Sequence, residues 1–165
     1  MENRTSIGIK NNILLIKVEG EMRAGNSFAL SEVLPEYISK VQRQLNVLID
    51  LSDCSYMDST SIGFIILLES RCRQYNTESV SIINPSESAM KHIKALSALD
   101  KLHIEKDIEV PGIQLFPLDA GSKSFKKRQN IELMFDSHAI LSQLSEENRE
   151  EFKELLEELE RVLGR

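Results

Sequence analysis

Asp58-Ser59-Thr60-Ser61 puts one carboxylate and three hydroxyls into a single turn. The turn lies between two apolar runs, Leu45 to Leu51 and Ile62 to Leu68. The first is short and rich in branched residues, as a strand covered on both faces is, and the second reads as a helix starting near Ser59 or Thr60. Asp, Ser and Thr are residue types that cap the free amides of a helix start, where the positive end of the helix dipole also lies. A phosphate carried there would meet unsatisfied N–H donors. It would add about −1.5 to −2 charge to a small surface, enough to switch a protein contact without refolding. Plain helix capping is the competing reading of the same residues, and the turn alone does not decide between them.

Other chemistry is not visible in the chain. Cys54 and Cys72 form no Cys-x-x-Cys pair, and His92, His103 and His138 have no ligand spacing, so no disulfide framework, metal site or cofactor is expected. No glycine-rich phosphate-cradling loop occurs. A hydrolase built on Asp58 and Ser59 would need a base, and no histidine lies nearby in sequence. The expectation is a protein that is not an enzyme and has no catalytic residues of its own. A net charge of −6 argues against direct nucleic-acid binding. The longest strongly apolar run is too short to span a bilayer, and no signal-type segment follows Met1, so a cytoplasmic, soluble protein without membrane insertion is expected.

The elements around the turn follow from periodicity. Ile7 to Lys10 and Ile13 to Val18 flank Asn11-Asn12 and read as a hairpin, with a loop through Gly20 and Gly25 after it. Asn26 or Ser27 is expected to cap a first helix carrying Phe28, Leu30, Leu34 and Ile38, offset or kinked by Pro35. Ser79 to Ile83 is a further strand, so strand, helix and strand imply a parallel crossover. Ser86 caps a helix holding Met90, Ile93, Leu96 and Leu99, and Leu102 to Ile104 forms an edge strand. The expected class is α/β: a mixed sheet of four to five strands with helices packed on it.

Composition changes after Pro111-Gly112. Residues 111–130 read as a linker with a basic stretch at Lys123, Lys126, Lys127 and Arg128, and 131–165 as a helical extension. Its last helix, capped by Ser145, carries an apolar stripe of Phe152, Leu155, Leu156, Leu159, Val162 and Leu163. Packing on its own domain, together with a shorter helix from Ala139 to Leu144, would cover the stripe. A homodimer or another partner would cover it equally well.

With these elements in this order, Ile7 to Leu102 resembles the STAS domain, named for sulfate transporters and anti-sigma factor antagonists. Three blocks carry the resemblance: Val18 to Met22, Asp50 to Ser52 through Met57 to Gly63, and Asn84-Pro85 through Leu96 to Asp100. It implies a STAS-like domain over 1–110. By similarity to bacterial anti-sigma factor antagonists, Ser59 would be phosphorylated by a serine kinase that is itself the anti-sigma factor. The unmodified form binds that kinase, the phosphorylated form is released, and a metal-dependent serine phosphatase restores binding. The resemblance makes Asp58 the group that orients the Ser59 hydroxyl or a magnesium ion of the partner. It also puts Gly20, Glu21, Met22, Arg23, Asp58, Ser59, Thr60, Ile62 and Ser86 on the partner-binding surface.

Two departures from the family pattern stand out. Ser61 replaces a usual glycine, which leaves Thr60 and Ser61 as secondary acceptors. Arg23 replaces a commonly acidic residue and would pair with a phosphate. The second reading of the whole is a non-enzymatic STAS scaffold subunit of a larger signalling or transport assembly.

Overall fold

The computed structural model describes residues 2–41, 44–71, 77–119 and 125–165. β1 (Arg4–Lys10) and β2 (Ile13–Met22) form the expected hairpin, pairing Ile7 with Ile16, and Asn11 takes a positive φ at its tip. α1 (Ala24–Ser39) leads to β3 (Leu45–Met57), α2 (Ser59–Ser70) to β4 (Thr77–Ile83), and α3 (Glu87–Ala95) with one 3₁₀ turn to β5 (Ile104–Glu105). β2, β3, β4 and β5 are mutually parallel neighbours. β6 (Phe116–Pro117) lies antiparallel to β1 on the opposite edge, giving the order β5-β4-β3-β2-β1-β6.

The sheet therefore has six strands, one more than the upper expectation. The extra strand is only two residues long and falls within the stretch read as a linker, where no periodicity announces it. β3 runs on to Met57 and β2 to Met22, so Gly20 to Met22 belongs to a strand rather than a loop. α1 starts at Ala24, ahead of Asn26 and Ser27, and continues through Pro35. Asn26 still takes part in the start, since its side-chain oxygen accepts the Arg23 N–H at 2.7 Å.

The core is built from alternate residues of the central strands, among them Ile7, Leu14, Ile16, Leu45, Val47, Ile49 and Leu51, together with α1 and α2. Every residue of α2 from Thr60 to Leu68 is buried. Such a helix needs cover on every side, and the sheet with α1 supplies only part of it. The remainder comes from the tail. α4 (Arg128–Ser142) packs along α2, and α5 (Glu146–Leu163) packs back on α4.

α4 starts earlier and runs longer than the helix expected from Ala139 onward. Ser145 caps α5 as expected, accepting the Asn148 N–H at 3.0 Å. The Asn148 amide donates to the Leu141 and Leu96 carbonyls, tying α5 to α4 and to the end of α3. Phe152, Leu159 and Leu163 of the apolar stripe are buried within this chain, while Val162 is exposed. Part of the basic stretch is engaged as well: Lys127 pairs with Glu32 and Arg128 with Glu132. Lys123 and Cys72 lie outside the described residues.

Candidate functional site

The end of β3 and the start of α2 meet the end of β2 and the start of α1. Asp58 joins all four. It is the N-cap of α2, with Oδ1 accepting the Ser61 N–H at 2.8 Å. Its Oδ2 accepts the Ala24 N–H at 2.8 Å, and its own N–H donates to the Met22 carbonyl at 3.2 Å. One carboxylate thus satisfies the first turns of two helices that are remote in sequence. Asp58 is thus a structural cap in this chain, a role separate from the orienting one that the resemblance implies for it in a partner's active site.

The three hydroxyls fare differently. Thr60 and Ser61 are buried. The Ser61 hydroxyl has Asp58 Oδ1 at 2.8 Å and the Met22 carbonyl at 3.0 Å, and Ser27 donates to it at 3.4 Å. Ser61 is thereby an internal strut. Ser59 alone of the three is only half-buried.

The Ser59 hydroxyl meets His138, which projects from α4, with Oγ 2.8 Å from Nε2. The other ring nitrogen, Nδ1, is 2.7 Å from the Met134 carbonyl. A carbonyl only accepts, so Nδ1 carries a proton. Burial pushes the His138 pKa below its ordinary value, outweighing the Met134 hydrogen bond and the Asp58 charge. The ring is accordingly neutral near pH 7, Nε2 is a bare acceptor, and Ser59 is the donor. Phe152 of α5 closes the far side, edge-on at 4.9 Å and 73°. The histidine absent from the sequence neighbourhood of Ser59 arrives from 79 positions away.

Other expected surface residues scatter. Met22 and Ile62 are wholly buried core residues, unavailable to a partner. Gly20 sits with positive φ where β2 and β3 shift register. Arg23 donates to Glu21 at 2.7 Å and lies 4.6 Å over the Tyr56 ring. That hydrogen bond holds the Glu21 carboxyl below its ordinary pKa, so the guanidinium already has an anion. Ser86 caps α3 and also donates to the Cys54 carbonyl of β3.

The STAS domain model matches residues 5–110. The chain belongs to the STAS domain family. Among solved structures, the anti-sigma factor antagonist SpoIIAA in its unphosphorylated form superposes with a TM-score of 0.53 at 15% identity, over 64% of this chain and 89% of that one. SLC26A9 gives 0.48 at 14% identity, over 66% of this chain and 23% of that one. An uncharacterized DUF3478-family protein with a SpoIIAA-like fold from Shewanella loihica gives 0.46 at 13% identity, over 66% of this chain and 90% of that one. The SpoIIAA likeness shows a shared fold. In this STAS protein α4 and α5 lie beyond the matched residues, and α4 supplies the direct partner of Ser59.

The tail's part in the site had one legible signal. Ile62, Phe64, Ile65, Ile66, Leu67 and Leu68 leave α2 no polar face, which calls for cover beyond a sheet and one neighbouring helix.

Proposed function

We propose that this STAS protein is an anti-sigma factor antagonist of the bacterial cytoplasm, switched by phosphorylation of Ser59. The observation that carries the reading is the position of Ser59, the first residue of α2 and half-buried, beside Thr60 and Ser61, which are buried. Its proposed partner is an anti-sigma factor with serine-kinase activity. Ser59 Oγ attacks the γ-phosphorus of ATP in the kinase, the new O–P bond forms as ADP leaves, and the hydroxyl proton passes to the kinase or solvent. A metal-dependent serine phosphatase hydrolyses the ester and restores the hydroxyl. The added charge of about −1.5 to −2 lies beside Asp58 and opposes a contact made by the neutral serine.

The test uses Ser59→Ala as bait in extracts of the source cells. The captured kinase is then incubated with the wild-type protein and Mg-ATP, and the product is mapped by mass spectrometry. Phosphate on Ser59, with weakened binding, is the expected result; phosphate confined to other residues overturns it. The scaffold reading loses its main motive, because the α5 stripe is largely filled within the chain.

A further inference from the structure

We propose that α4 and α5 form a built-in cap over the Ser59 end of α2, latched by the Ser59–His138 hydrogen bond, and that phosphorylation of Ser59 and docking of the cap exclude each other. The inference rests on the proposed role of Ser59 and adds a regulator of that site, carried by the same chain.

The geometry at Ser59 leaves a phosphate ill-served. The hydroxyl donates to Nε2 at 2.8 Å, and a phosphate ester has no proton there to donate. Its oxygens would instead face the lone pair of a neutral ring. Rotation of His138 is opposed by the Met134 carbonyl on Nδ1 and by the Phe152 ring behind it. Protonating the ring would create an ion pair with the phosphate where only 3% of the histidine is exposed, and the desolvation of such a buried pair can exceed its Coulombic gain. Translation of α4 along α2 is also opposed, because Gly63 and Ser137 are in close contact one turn further on. Releasing α4 relieves all of these conflicts together.

The seam shares the main core through Leu133, Leu141 and Phe152, but it carries one unfavourable feature. Ser137 is fully buried on α4, and its hydroxyl has no hydrogen-bond partner. An orphaned hydroxyl is a cost of the docked state that undocking removes. The ion pair at the other end of the seam, Arg71 with Asp136, is more than a third exposed on both sides and adds little. A kinase that must reach Ser59 therefore competes with an intramolecular occupant. The cap sets how readily the acceptor is offered, and phosphate on Ser59 keeps it open.

Hydrogen–deuterium exchange on the full chain tests this without any kinase. Phosphoserine is installed at position 59 during translation, and amide protection is compared with wild type and with His138→Gln. The phosphorylated chain is expected to exchange more than roughly tenfold faster across residues 131–141, with β2 and β3 unchanged. His138→Gln is expected to give roughly a fivefold rise in the same segment, the equivalent of one hydrogen bond. Unchanged protection of α4 in the phosphorylated chain overturns the cap. If phosphoserine also exposes β2 and β3, His138→Gln decides: a rise confined to α4 and α5 supports the cap, and no rise overturns it. Failure of the captured kinase to modify Ser59 would remove the antagonist reading while leaving the exchange result standing.

Discussion

Gly63 of α2 and Ser137 of α4 meet with no side chain of residue 63 between them. A β-carbon there would lie 2.4 Å from the Ser137 carbonyl oxygen and 2.7 Å from its Cβ. Backbone cannot yield as a flexible side chain does, so Gly63→Ala must push the helices apart. The expected cost is about 1–3 kcal/mol, typical of overpacking, read as a lower urea midpoint. Loss of amide protection should concentrate in α4 and α5. A variant with the wild-type midpoint and wild-type α4 protection would show that the helices are not held at this distance.

Asp58 should behave as a structural cap. Asp58→Ala leaves the Ser61 and Ala24 N–H groups without their acceptor. At about 1 kcal/mol for each cap, the expected loss is about 2 kcal/mol by chemical denaturation. Asp58→Asn keeps one side-chain acceptor and should lose about half as much. Equal stability of Asp58→Ala and wild type would contradict the assignment of both oxygens.

Substitution of Ser59 should abolish phosphorylation in the turn. The hydroxyl of Ser61 is spent on Asp58, Met22 and Ser27, and Thr60 is buried, so neither is presented to a kinase. Ser59→Ala incubated with the captured kinase and Mg-ATP should show no phosphate on Thr60 or Ser61 in peptide mapping. Modification of Ser61 at a rate near that of wild-type Ser59 would mean that the first turn of α2 opens readily.

What could be read from the sequence was local. The Asn11-Asn12 turn, the branched residues of β3 and the cap residues Asp58, Ser86 and Ser145 each act within a few positions. Their elements start where the pattern puts them, although β3 runs on past Leu51 to Met57. What escaped was non-local. The start of α1 moved to Ala24 because its acceptor is the Asp58 carboxylate, 34 positions on. β6 escaped because two residues against β1 have no period to detect. His138 looked like an ordinary histidine because nothing near it in sequence marks Ser59 as its partner. At the site, the hydroxyl turn was legible, whereas its occupation from α4 came from packing that only the full burial of α2 hinted at.

His138 should give folding stability a specific pH dependence. Its pKa in the folded chain lies below the ordinary value of 6.5, chiefly because burial disfavours the imidazolium. The unfolded chain therefore takes up this proton at higher pH than the folded chain does. Stability is complete above the unfolded pKa and falls as pH drops from there toward the folded pKa. The groups facing the ring are the Met134 carbonyl, the Ser59 hydroxyl, the Phe152 ring and, by its charge, Asp58. His138→Gln removes the titration of this site. Between pH 7.5 and 5.5, wild type should lose more stability than His138→Gln in urea unfolding, the extra loss growing as pH falls. Carboxylates common to both proteins cancel in that difference. Equal losses would mean that folding leaves the proton affinity of the imidazole unchanged, and a smaller loss in wild type would mean that the ring is held as the imidazolium, with the hydrogen bond to Ser59 running the other way.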